Sequence, residues 1–356
     1  MALLIFIIVL GVLILIHEFG HFLFARFFGV GVERFSIGFG PILTRIRGAK
    51  TEYCISAIPL GGYVKLAGES IEDQKGEAWE FGSHPIWQRT LIILAGPLAN
   101  SLLAFLVFWT IFIFGNPTLP NQVGQVSEGY PAQSAGIQVG DRILAINGER
   151  VEYWDQISKK IRQQGLNALT LLVERQGKES EIILSPRIEE RQNILKQKIQ
   201  IPLIGVSPKD EVVYARYPVG KALVMAVEEL VLFTQVTFQA LWLMVTGALP
   251  FKESMTGPIG IFYIAKGAVQ LGLSYLLRIV GTISASLAIF NVLPIPVLDG
   301  GHLFFLFFEA FKGKPLSQRT QAILTQCGTV FLIAVMVFVF YNDLIRFGVF
   351  EKFLSK

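Results

Sequence analysis

Residues 2–25 read ALLIFIIVLGVLILIHEFGHFLFA, and this stretch decides the fold. It carries no charge from Ala2 to Ile16, and after His17 and Glu18 it stays apolar through Ala25. A helix needs roughly 20 such residues to cross a bilayer. No Lys or Arg precedes the run and no small-x-small cleavage site follows it, so it reads as a retained span and not a secretory signal. The whole chain agrees: of 356 residues, 52% are hydrophobic and 16% charged, against about 25% charged in ordinary soluble proteins. The formal charge of +4 is spread without a basic block, which points away from nucleic acid as a partner. Cys54 and Cys327 are too few for a disulfide framework and read as inert thiols.

Working outward, residues 26–89 are polar and rich in Lys and Arg, with alternating stretches at 36–41 and 53–64 that read as short strands or hairpins. Leu91 to Phe114 is the second uncharged run, broken early by Gly96-Pro97. The basic loop between the two spans belongs in the cytoplasm by the positive-inside rule. From Asn116 to about Val206 the texture is that of a small soluble domain facing the other side. It has a short amphipathic helix over 154–164 and a hairpin turning at Arg175-Gln176-Gly177-Lys178. Ala222 to Phe251 is ambiguous, long enough to cross yet carrying Gln235 and Gln239 and following Glu228-Glu229. Ile279 to Leu298, interrupted by Pro294 and Pro296, and Thr320 to Asn342 complete the apolar runs.

His17-Glu18-Phe19-Gly20-His21 is an HExxH motif inside the first span. Residues i and i+4 share one helix face, so both imidazoles can reach one Zn2+ ion, which keeps an open position for water in catalytic sites. Glu18 stands beside that position as a candidate general base. Ionisable groups within a span are costly and functional by default. A third ligand is missing, and Asp299 is the candidate. Its segment alone leaves open an ordinary helix-end carboxylate followed by a Gly cap. Depth decides between these. If 222–251 does not cross, the 279–298 run delivers Asp299 to the level of His17 and His21; if it crosses, Asp299 ends roughly 30 Å away. Residues 222–251 therefore read as an amphipathic helix lying on or dipping into the outer surface. His84 reads as structural, and His302 as dispensable to a ligand set already complete.

HExxH in the first span, Asn291-Val292-Leu293-Pro294-Ile295-Pro296-Val297-Leu298-Asp299-Gly300 in a late one, and an intervening PDZ-like stretch (132–137 and 140–148) together resemble the site-2 protease family. The likeness is closest to its bacterial regulator-of-sigma-E protease branch and runs over nearly the whole chain. Residues 36–40 with 58–64, 95–100 and 257–260 resemble further segments of the same branch. The resemblance implies a polytopic α-helical membrane protein with four transmembrane helices, a cytoplasmic-side re-entrant β-hairpin region and one periplasmic PDZ-like α+β domain. The expected divisions are 1–115, 116–208, 209–278 (a periplasmic membrane-associated helical segment) and 279–356. It implies zinc on His17, His21 and Asp299, activation of water by Glu18, and a hold on substrate backbone by Asn291. An edge-strand role for Gly38, Phe39 and Gly40 is the accompanying hypothesis. The implied substrates are single-pass membrane proteins in the bacterial inner membrane, anti-sigma factors or remnant signal peptides, with lipid around them. Some members of this branch carry tandem PDZ domains where this chain has room for one. A non-catalytic PDZ scaffold is the alternative and predicts that Glu18→Gln changes nothing. A metal transporter fits less well, because its ionisable groups should be spread over several spans.

Overall fold

In the computed structural model, which describes residues 2–48, 50–69 and 73–347, the first apolar run is helix α1, Ala2–Phe28. Apolar side chains surround it and do not form a single stripe: Leu4, Ile8, Val12, Phe19 and Leu23 all stay exposed, as suits a helix solvated by lipid. It stops in a Schellman turn. Val30 N–H donates to Ala25 O at 2.8 Å and Gly29 N–H to Arg26 O at 3.3 Å, with Gly29 at φ +84°.

Two compact units are present: 1–110, 223–239 and 250–356 form the first, 111–222 and 240–249 the second. In the first, the basic loop folds into β1 (Val32–Arg47) and β2 (Glu52–Leu66), which pair along their length. The pairing is doubled. Phe35, Ser36 and Ile37 face Tyr53, Cys54 and Ile55 on one side and Val64, Tyr63 and Gly62 on the other. Two bent strands thus make a small sheet whose middle segment has neighbours on both flanks. Gly38 at φ +90° and Gly40 at φ +82° turn β1 out of that middle position, and Phe39 retains a single partner, Ile58. The sheet leans on α1 at Gly11, where an added Cβ would lie 2.8 Å from Pro59 O.

Helix α2 (Ile86–Phe114) runs unbroken through Pro97, although the sequence suggested an interruption there. It packs closely on α1 just before that proline: a Cβ on Gly20 would sit 2.3 Å from Ala95 O, so small residues let the two helices touch. The ambiguous region becomes α5 (Val219–Val245), followed by α6 (Phe251–Ser254) and α7 (Pro258–Leu271). Asp343 caps α7 from the far end of the chain, accepting from Gly257 N at 3.1 Å and Gly260 N at 2.8 Å. Helix α8 (Leu273–Val292) ends ahead of the two prolines, and Asp299 opens a separate helix, α9 (Asp299–Lys312). The sequence had placed Asp299 at the end of one run over 279–298. Proline bars its predecessor from helical geometry, so Leu293 turns extended at ψ 142° and the chain restarts. Helix α10 (Gln318–Arg346) closes the described chain. Among the described residues, α1, α2, α8 and α10 are the four helices long and apolar enough to cross a membrane; α5 is not one of them.

The second unit is β-rich. Strands β3 (Asn116–Thr118) and β4 (Val123–Val126) lead through the single turn α3 (Pro131–Ser134) to β5 (Arg142–Ile146) and β6 (Glu149–Arg150). Then follow helix α4 (Trp154–Gln164), strands β7 (Leu169–Arg175) and β8 (Lys178–Leu184), and hairpin β9 (Arg187–Gln192) with β10 (Lys198–Leu203). Strands β11 (Val206–Pro208) and β12 (Val213–Ala215) return to pair with β4 and β3. The main sheet has the order β6-β5-β7-β8. Its hairpin turns at Gln176 (φ 52°) and Gly177 (φ 77°), a two-residue turn of the kind that matches strand twist. Alternate residues Leu169, Leu171 and Val173 are fully buried against Ile157 and Ile161 of α4. One carboxylate ties the sheet to the loop before it: Arg175 donates to both oxygens of Asp141 at 2.7 Å, and Gln138 N–H donates at 2.8 Å. Burial raises the affinity of Asp141 for a proton, but Arg175 and the Gln138 amide outweigh it and hold this carboxyl below its ordinary value.

Arg175→Leu is therefore expected to destabilise this unit at neutral pH, because it leaves the buried Asp141 carboxylate with the Gln138 amide but without its cation. Because the folded carboxyl titrates below its unfolded value of 3.8, this stability is present above that pH and fades as pH falls through the folded value. Hydrogen exchange of β7 amides, compared between wild type and variant at pH 7 and pH 3, should show a gap that narrows in acid.

Candidate metal centre

His17 and His21 lie one turn apart on α1, with rings 4.9 Å between centroids and Nε2 atoms 3.3 Å apart. Asp299, carried in on the first residue of α9, brings Oδ2 to 3.0 Å from His17 Nε2 and 3.4 Å from His21 Nε2. The three ligand atoms lie within 4.8 Å of one another. His302, a turn further along α9, is not in this group; it packs beside Phe305. His84 bonds Gln88 at 2.8 Å instead.

The donor set suits a cation. Oδ2 of Asp299 is buried and receives no hydrogen bond, so it presents lone pairs toward two nitrogens with no donor satisfying it. His21 Nδ1 lies 2.8 Å from Ile92 O. A carbonyl can only accept, so the proton is on Nδ1 and the Nε2 lone pair faces the cluster. Two imidazoles and one carboxylate with room for a fourth position match the ligand count of a catalytic zinc site.

Close backbone approach makes the pocket. A Cβ on Gly96 would stand 2.3 Å from His21 Nε2 and 2.8 Å from His17 Cε1, so only glycine lets α2 lie against both rings. At the start of α9, a Cβ on Gly300 would meet Leu293 O at 2.1 Å, which draws the helix that carries Asp299 against the proline loop. Further along α9, Glu309 pairs with Arg89 of α2. Glu18 points to the same cavity, and its Oε2 accepts Val64 N–H of β2 at 3.1 Å. That cavity, about 290 Å³, is lined by Ile14, His17, Glu18, Asn100, Leu287, Asn291, Val297, Leu298 and Asp299. A larger one of about 760 Å³, between the end of α1 and Trp79, holds none of the cluster.

Of the residues singled out from sequence, His17, Glu18, His21, Asn291 and Asp299 are thus brought together. Asn291 Nδ2 lies 3.5 Å from His17 Nδ1 and 3.4 Å from Nε2. Gly38, Phe39 and Gly40 lie in β1 and do not line this cavity. Sequence reasoning gave no role to Asn100, Gly96 or the Val64 amide. Asn100 had a usable signal, being an amide within an otherwise apolar run; the other two act through backbone and had none.

An HExxH pair on a membrane-length helix, closed by a distant aspartate, defines a membrane-embedded metallopeptidase. The chain belongs to peptidase family M50, whose profile matches residues 5–335, and it is a zinc metalloprotease. It is 31% identical to the regulator of sigma E protease of Haemophilus influenzae, over 96% of this chain and 98% of that one. It is 33% identical to the metalloprotease MmpA of Caulobacter vibrioides, over 96% and 95%. A Mesorhizobium japonicum protein with a provisional zinc metalloprotease name is 35% identical over 95% and 97%. Among solved structures, a PDZ domain of an SdrC-like protein from Listeria monocytogenes is 17% identical and covers 25% of this chain and 86% of its own, with a TM-score of 0.21.

Proposed function

We propose that this protein cleaves peptide bonds inside the membrane segments of single-pass membrane proteins, with zinc held by His17, His21 and Asp299. The observation that carries the reading is the meeting of both Nε2 atoms with Asp299 Oδ2 beside Glu18, on a helix of membrane length. Bound zinc supplies a Lewis acid that polarises a peptide carbonyl and makes water acidic. The chain's own residues do the rest. Glu18, held in place by Val64 N–H, takes the proton of the attacking water and passes it to the leaving nitrogen. Asn291, beside His17, holds the substrate backbone. A helical substrate hides its carbonyls, so it must unwind. Phe39, paired on one side only, offers an edge to which the unwound segment adds as a strand.

In this reading the protein sits in the bacterial inner membrane, which its four long apolar helices support, with the basic β1–β2 loop in the cytoplasm and the PDZ-like unit in the periplasm, where it selects substrates. Residues 209–278 form a periplasmic membrane-associated helical segment, following the PDZ-like domain (116–208) in sequence and preceding the last two spans (279–356), with the first two spans in 1–115. Anti-sigma factors already trimmed outside the membrane, and remnant signal peptides, are the substrate classes. Purified protein in detergent, incubated with a panel of single-span substrates, tests the reading. Zinc-dependent products from wild type and none from Glu18→Gln are expected; equal products, or none from either, would favour the scaffold.

A further inference from the structure

His21 has its tautomer fixed by a backbone carbonyl of α2, whereas His17 faces a side chain there. Asn100 is fully buried. Its amide lies 3.4 Å from His17 Nδ1 through Nδ2, while its own Oδ1 is buried with no partner. A buried acceptor left without a donor is destabilising. A half-turn of the amide exchanges the two atoms. It sets Oδ1 against His17 Nδ1, gives the orphan a donor, and leaves the Nε2 lone pair directed at Asp299 and His21. Asn291 does not compete for this proton. Lying at nearly equal distances from both ring nitrogens, its amide is in line with neither. We infer that Asn100 is a positioning residue that accepts the Nδ1 proton of His17 and so fixes the tautomer and ring orientation in which Nε2 binds metal.

The two imidazoles are then held alike from one helix. Ile92 O serves His21 and Asn100 Oδ1 serves His17, both on α2, flanking the Gly96 that admits the rings. Side chains lean toward a helix N-terminus, which lets Asn100 reach back toward the ring. Such outer partners of metal-bound histidines are worth roughly 10–100-fold in affinity. The contact of Asn100 with α8 is separate, because Ser284 Oγ donates to its main-chain oxygen at 2.8 Å and survives any side-chain replacement.

This inference rests on His17 being a ligand, and its test separates the two. Zinc affinity of the full chain in detergent is measured by chelator competition for wild type, Asn100→Asp, Asn100→Leu and His17→Ala. An acceptor role predicts that Asp binds at least as well as Asn and that Leu loses about 10–100-fold. A packing role predicts the reverse order, since Leu suits a buried site and a carboxylate does not. In parallel, ¹⁵N spectra of the zinc-loaded wild type should show a protected Nδ1–H on both His17 and His21. Asn100→Leu should strip protection from His17 alone. Wild-type affinity in Asn100→Leu, the packing order, or a His17 proton on Nε2 overturns the inference. Wild-type affinity in His17→Ala overturns the ligand assignment instead.

Discussion

Cleavage by the Glu18→Gln protein is expected to fall about 10²–10⁴-fold, the share general base catalysis commonly supplies, while zinc binding stays as in wild type. Glutamine keeps the length and shape of Glu18, and its side-chain carbonyl can still accept Val64 N–H, now 3.1 Å from the carboxylate. What it loses is the ability to take a proton. Glu18 is not in the ligand group of His17, His21 and Asp299, so metal content and folding should not move. Activity and zinc stoichiometry measured on the same preparation decide the matter. Zinc lost together with activity would mean that Glu18 holds metal; activity retained with zinc would remove it from the proton path.

The separation of those two readouts follows from how the site is assembled, and part of that assembly is legible in sequence. HExxH fixes one face of one helix, so His17 and His21 meet whatever the rest of the chain does. Asp299 required a count of crossings. The ambiguous 222–251 segment was read as not crossing because only then does Asp299 arrive at the right depth. The structure puts Asp299 Oδ2 3.0 Å from His17 Nε2, and α5 is not among the described helices both long and apolar enough to cross a membrane. Other features were hidden for physical reasons. Pro97 looked like a break, but α2 runs on through it. The two prolines before Asp299 looked like a disturbed span end, whereas they separate two helices. The doubled pairing of residues 35–37 joins three stretches of chain, and local alternation shows that strands exist without saying which lie side by side. Asn100 was visible as a polar residue in an apolar run, yet its partner lies on another helix.

Gly96→Ala should disable the histidine pair with a single methyl. The added Cβ would lie 2.3 Å from His21 Nε2, 2.6 Å from its Cε1 and 2.8 Å from His17 Cε1, inside the distance at which real Cβ atoms are found. Relief can come in two ways. Either the imidazoles turn off their present rotamers, breaking His21 Nδ1–H to Ile92 O, or α2 retreats from α1. The second route is resisted by tight packing at Gly20, where even a Cβ would stand 2.3 Å from Ala95 O, because two helices in backbone contact lose dispersion energy over their whole crossing when they part. The rings therefore yield, and both Nε2 atoms leave their common focus. Misplacement on the order of 1 Å costs about 10² in rate, so activity should drop at least that far, with zinc affinity reduced as well. Gly267→Ala is the matched control: it lies in α7 with nothing within 4 Å of its added Cβ, and helix propensity favours alanine there by about 1 kcal/mol. Chelator competition and product formation, run on both variants, should leave Gly267→Ala like wild type. Full zinc affinity and activity in Gly96→Ala would mean that the histidine pair does not bind metal in the place where α2 now confines it.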